Sequence, residues 1–136
     1  MAEPHPPIRG VHEAALYVHD LDEAERFWRR LGLPLVGRES GRHVFFRLGD
    51  DLLLLFDAGA TRQPGGLVPP HGAEGESHVA FDVADAQALE RWRAWLELAG
   101  IAIEAEVDWP RGGRSLYFRD PSRNSIELIT RGSWGF

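Results

Sequence analysis

The sequence of 136 residues contains no cysteine. Disulfides, thiolate-bound metals and cysteine nucleophiles are thereby excluded. It also lacks any apolar run long enough to cross a bilayer, and its Pro-rich opening, "MAEPHPPIRG", has none of the apolar core of a signal peptide. A cytoplasmic protein with no membrane partner is expected. Basic residues are in deficit, with 15 Lys and Arg against 21 Asp and Glu and a formal net charge of −6. A nucleic-acid surface would need a basic face, so no nucleic-acid partner is expected either. What is present is ordinary: 43% apolar and 26% charged residues, in a length that suits one domain, 1–136, with a sizeable core.

Along the chain, "EAALYV" alternates like a strand and runs into "HDLDEAERFWRRLGL". There Asp20 is an N-cap with Glu23 three residues on, apolar positions follow at helical spacing, and Gly32 ends the helix. "RHVFFRL" and "DLLLLFD" read as strands around the turn "GDD". "AGATRQPGGLVPPHGAEGES" is dense in Gly and Pro and reads as a long irregular loop. The order then restarts with strand "HVAFDV", helix "DAQALERWRAWLELAG" and strands "IAIEAEV", "SLYFR" and "NSIELIT".

The halves repeat. Ala15 lies over Ala80, Val18 over Val83 and Asp20 over Asp85, all at an offset of 65, and Leu54 lies over Glu127 at an offset of 73. The second helix is about a turn longer. Such self-similarity predicts an α+β fold of two βαβββ modules, roughly 11–58 and 77–131, joined by the Gly/Pro-rich loop 59–76. One antiparallel sheet with a helix on one face leaves its other face open. Two modules set edge to edge make a curved mixed sheet whose open faces form a cup, with the helices on the outer face.

Strand parity sorts the side chains. Ala14, Leu16 and Val18 belong to the helix side, and so do Val79, Phe81 and Val83, and Ile126 and Leu128. Glu13, His78 and Glu127 then converge on the cup from three strands, among apolar neighbours where an unpaired charge is costly. His12 falls on the wrong face. One imidazole and two carboxylates suit Mn, Fe, Zn, Ni or Co without discriminating among them. Phe45, Arg47, Leu52, Leu54, Phe56, Ser115 and Tyr117 also face the cup, and mostly apolar walls with a few polar groups suit a small-molecule pocket. Arg114, beside "RGG", is a candidate for an anionic substrate group. His71 in the long loop is a candidate lid or proton donor, and Trp109 a candidate for the mouth.

"EAALYVHDLDEAERFWRRLGL", "SHVAFDV" and "LYFRDPSRNSIELI" together resemble the vicinal oxygen chelate superfamily of glyoxalase I, bleomycin-resistance proteins, fosfomycin-resistance enzymes and extradiol dioxygenases. The "DPSRNSIEL" segment is its most specific motif. The resemblance implies paired βαβββ modules, a divalent metal on Glu13, His78 and Glu127, and a homodimer whose cups are shared between subunits. It also implies that Glu13 or Glu127 acts as a catalytic base. Two departures stand out: many metal-binding members have His at the position of Glu13, and glyoxalase I has a further carboxylate where this chain has Leu54. The function implied is a metal-dependent enzyme acting on a small organic molecule, as lyase or isomerase, dioxygenase or group transferase. The alternative is a non-catalytic binding protein of the bleomycin-resistance kind.

Overall fold

A computed structural model describes residues 4–135. The first module holds β1 (Glu13–Tyr17), α1 (Leu21–Arg30), β2 (Leu35–Glu39), β3 (His43–Leu48) and β4 (Asp51–Phe56), followed by a short helix α2 (Ala58–Thr61). The second holds β5 (His78–Val83), α3 (Ala86–Leu98), β6 (Ile103–Asp108), β7 (Arg114–Arg119) and β8 (Ser125–Thr130). Each module forms one four-stranded mixed sheet, ordered β1-β4-β3-β2 and β5-β8-β7-β6. In both, the first strand runs parallel to the last and the other pairings are antiparallel. This is the two-module α+β architecture that the repeat predicts.

Local chemistry explains the elements. Asp20 Oδ1 accepts the Glu23 amide at 3.0 Å, and Asp85 Oδ1 does the same for Ala88 at 2.8 Å. Both helices therefore start at the expected caps. Beyond α1, Gly32 takes φ +92°, a left-handed turn that suits glycine. The 13 residues of α3 exceed the 10 of α1 by nearly a turn. The strand registers reproduce the sequence repeat: Ala15 sits opposite Leu54, and Ala80 opposite Glu127.

Two elements depart from the sequence reading. Strand β2 is not legible as a strand in the sequence, because "LVGRE" has only two apolar residues, adjacent to each other, and a glycine inside it. Residues 58–61, at the start of the supposedly irregular loop, form α2, capped by Asp57 Oδ1 accepting from the Ala60 amide at 2.9 Å.

The helix-side residues of both sheets share one core. Leu16, Phe46, Leu53 and Leu55 belong to the same cluster as Phe81, Leu116, Phe118 and Ile126. Helix α1 joins them, since Trp28 is fully buried with its ring 5.6 Å from Phe81, and Phe27 lies 6.3 Å from Phe118. Burying a ring of that size is worth about 3 kcal/mol. The two helix-bearing faces thus pack toward each other, so the two cup faces point away from the shared core. Within one chain no strand of one sheet pairs with a strand of the other among the described residues.

Candidate metal and ligand site

The open face of the second sheet forms a cavity of about 610 Å³. His78, Ala80 and Asp82 of β5, Tyr117 of β7 and Glu127 and Ile129 of β8 make its floor, as parity requires. Trp109, Pro110 and Arg111 of the β6–β7 turn wall one side, together with the segment Thr130–Trp134 that follows β8. No residue of the first module lines it.

At its centre His78 and Glu127 meet. His78 Nδ1 lies 3.0 Å from the Ser125 carbonyl, an oxygen that can only accept, so Nδ1 carries a proton and Nε2 is the ring nitrogen turned toward the cavity. That Nε2 stands 3.2 Å from Glu127 Oε1. The other carboxylate oxygen, Oε2, accepts a hydrogen bond from Ser115 Oγ at 2.6 Å, and Ser115 Oγ accepts from the indole N–H of Trp109 at 2.7 Å. Because an indole N–H only donates, the direction of the whole chain is fixed. Glu127 and Ser115 are buried while His78 is exposed on the edge strand. Burial raises the Tyr117 phenol above its ordinary value, and the charge of Glu127 adds to this.

Two lone-pair donors facing each other at 3.2 Å require a shared proton or a cation between them. A nitrogen and a carboxylate oxygen, the latter held by an orienting hydroxyl, form a donor pair that fits a divalent ion. Within one chain the pair has no third member: among the described residues no group of three ligating side chains gathers. Glu13 is exposed on β1, the free edge strand of the other sheet, and the chain does not bring it to His78 and Glu127. His12 lies just before β1 and is also exposed.

The remaining candidates divide between the two faces. Phe45, Arg47, Leu54 and Phe56 share the cup side of the first sheet with Glu13, Ala15, Tyr17 and Leu52. His71 folds over that face and not over the second: its Nδ1 is 2.7 Å from the Tyr17 hydroxyl and its ring 4.7 Å from Phe56. His43, which had no assigned partner in sequence, stacks on Phe45 at 3.9 Å, and burial lowers its pKa. Arg47 stays exposed and donates to the Gly49 carbonyl. Arg114 is turned from the cavity by Glu90 at 2.9 Å and Asp108 at 2.8 Å. The sequence named Trp109 for the mouth but gave no hint of Arg111 or Trp134. The signal available was the glycine pair beside Arg111, which lets a turn bend toward the cup.

Comparisons with known proteins agree with this architecture. A family model described as Glyoxalase/Bleomycin resistance protein/Dioxygenase superfamily matches residues 10–128. A curated protein of Mycosarcoma maydis, glyoxalase domain-containing protein RDO1, is 32% identical over 127 residues, covering 89% of this chain and 68% of its own length. Among solved structures, a lactoylglutathione lyase from Agrobacterium tumefaciens is 38% identical with a TM-score of 0.92, covering 96% of this chain and all of that one. The fosfomycin resistance protein FosX from Mesorhizobium loti is 25% identical with a TM-score of 0.61, covering 91% of this chain and 93% of that one.

Proposed function

The chain belongs to the glyoxalase/bleomycin resistance protein/dioxygenase superfamily, and we propose that it is a divalent-metal-dependent enzyme acting on a small organic molecule in the cup. The His78–Glu127 pair carries this reading, because it sets an imidazole nitrogen and an oriented carboxylate oxygen side by side on the open face, a donor pair that suits a cation. His78 Nε2 and Glu127 Oε1 would hold the ion, with Glu13 of a second copy of the chain as third ligand, and Mn, Fe, Zn, Ni and Co all suit that set. When bound, the ion supplies Lewis-acid polarisation of substrate oxygens.

The chain's own residues do the rest. The Ser125 carbonyl sets the His78 tautomer, and Ser115 holds Glu127 Oε2. One of the two carboxylates, Glu13 or Glu127, takes a proton from the substrate. Tyr117, with Phe45, Leu54 and Phe56 of the second copy, excludes water, and Arg47 stands at the rim of that same face.

The edges support a homodimer. β1 and β5 each end a sheet, and each presents an exposed cup-side row: Glu13 and Ala15 on one, His78, Ala80 and Asp82 on the other. Unpaired edges of this kind invite pairing, and a twofold dimer is the commonest way to meet the need. No helix among the described residues is long and apolar enough to cross a membrane.

Elemental analysis of protein purified without added metal or chelator tests the reading. One ion per site is expected, lost in Glu127→Ala and far more weakened by Glu13→Ala than by His12→Ala. No metal as purified, and no uptake of any of the five ions on titration, would overturn it in favour of a non-catalytic binding protein. The likeness to a lactoylglutathione lyase favours lyase chemistry over the other reaction types. The apolar Leu54 weighs against that activity.

A further inference from the structure

Of the two arginines that line the cavity, Arg131 has an ion-pair partner and Arg111 has none among the described residues. Asp82 is paired with Arg131 at 3.0 Å, and Glu127 is engaged by His78 and Ser115. Arg111 forms no ion pair among the described residues; its one hydrogen bond there runs from Nη1 to the Trp134 carbonyl at 3.2 Å. Four further guanidinium N–H groups have no partner among the described residues, in a cavity wall of a chain whose net charge is −6. An arginine with its fork available is suited to a carboxylate, which it binds through two parallel bonds.

Two tryptophans line the same cavity as Arg111. Trp109 is held by its bond to Ser115 and is half buried, while Trp134 is 72% exposed beside the cavity. An exposed tryptophan next to a pocket is a large apolar surface without cover. The segment carrying Trp134 is docked on the glycine turn. Gly113 has φ +83°, and a Cβ there would stand 2.3 Å from Ser133 Oγ. The absence of a side chain at Gly113 is therefore what lets the segment come in and complete the wall.

We propose that Trp109, Arg111 and Trp134 form a subsite that selects an aromatic carboxylate, with the ring against the tryptophans and the carboxylate on Arg111. This rests on the cup being the ligand site; it names the substrate class that the cup takes. A neutral amide of the same shape lacks the charge that Arg111 would pair, and a saturated ring stacks less well on the tryptophans.

Titration calorimetry with 2-naphthoate, 2-naphthamide and cyclohexanecarboxylate tests this on the full chain, as purified and again after chelator treatment. The acid is expected to bind about ten- to a hundredfold more tightly than its amide, as a charge-assisted pair requires. Arg111→Gln should abolish that preference, and an unchanged circular dichroism spectrum and melting temperature show that the variant is folded. Trp134→Ala should weaken the naphthalene acid about three- to tenfold and leave cyclohexanecarboxylate little changed. Equal binding of acid and amide, or a preference that survives Arg111→Gln but disappears with chelator, would overturn the proposal, the latter because the ion and not Arg111 would be reading the carboxylate. Metal content is scored separately. A metal-free protein that keeps the Arg111-dependent preference sinks the metal-dependent reading alone.

Discussion

A carboxylate with two free oxygens can hold an ion through one or both, and at Glu127 the choice is made by Ser115. Its hydroxyl occupies Oε2 at 2.6 Å and leaves Oε1 toward His78. Ser115→Ala removes that bond and leaves the Trp109 indole N–H without its acceptor. Loss of a partner that orients a ligand should weaken metal affinity roughly ten- to a hundredfold. A competition titration with a chromophoric chelator measures this, and an unchanged affinity would remove Ser115 from the site. Period-two alternation was enough to place Glu13, His78, Ser115, Tyr117 and Glu127 on open faces. It could not reveal the Trp109–Ser115–Glu127 chain, which depends on where a turn outside the sheet turns an indole. Nor could it tell Arg111 from Arg114. They are three residues apart, Arg111 in the turn and Arg114 opening β7, and the difference is that Glu90 and Asp108 reach only the latter.

At the level of elements, the "DPSRN" turn between β7 and β8 is a clamp and not a ligand site. Asn124 is buried, and its Nδ2 donates to the Tyr17 carbonyl at 3.1 Å and to Asp120 Oδ2 at 3.0 Å. Its Oδ1 accepts from the amide and hydroxyl of Ser77, the residue before His78. One amide therefore ties the end of β1 to the start of β5. Burial raises the Asp120 pKa, against the pull of its bonds from Asn124. Asn124→Leu strands several buried groups at once and should cost about 3 kcal/mol in chemical denaturation. A loss under roughly 1 kcal/mol would mean that the clamp contributes little. The motif that identified the family so readily is therefore a structural one, and its legibility came from the strictness of that hydrogen-bond geometry. β2 was illegible for the opposite reason: Leu35 and Val36 are its only apolar residues, and Gly37, Arg38 and Glu39 leave no alternation to read. The four residues of α2 are too few to set up a helical period at all.

For the whole molecule, the arrangement of sheets decides what a single chain can do. With both helix-bearing faces in one core, Glu13 and the His78–Glu127 pair occupy different open faces of the same chain. The sequence repeat could show that the two modules are alike. It could not show whether each cup closes within a chain or between chains, because edge pairing uses backbone groups that every residue has. If the site is shared, each cup of a twofold dimer takes Glu13 from one subunit and His78 with Glu127 from the other. Glu13→Ala and Glu127→Ala homodimers then each lack both sites. Mixed and allowed to exchange subunits, they form heterodimers in which one cup carries both mutations and the other carries neither. Random exchange puts half the dimers in that state, so roughly a quarter of all cups should regain metal affinity like that of the unmutated protein. A cup formed within one chain regains nothing on mixing, however long the exchange. Metal bound at limiting concentration, before and after co-refolding of the two variants, therefore distinguishes a shared cup from a private one.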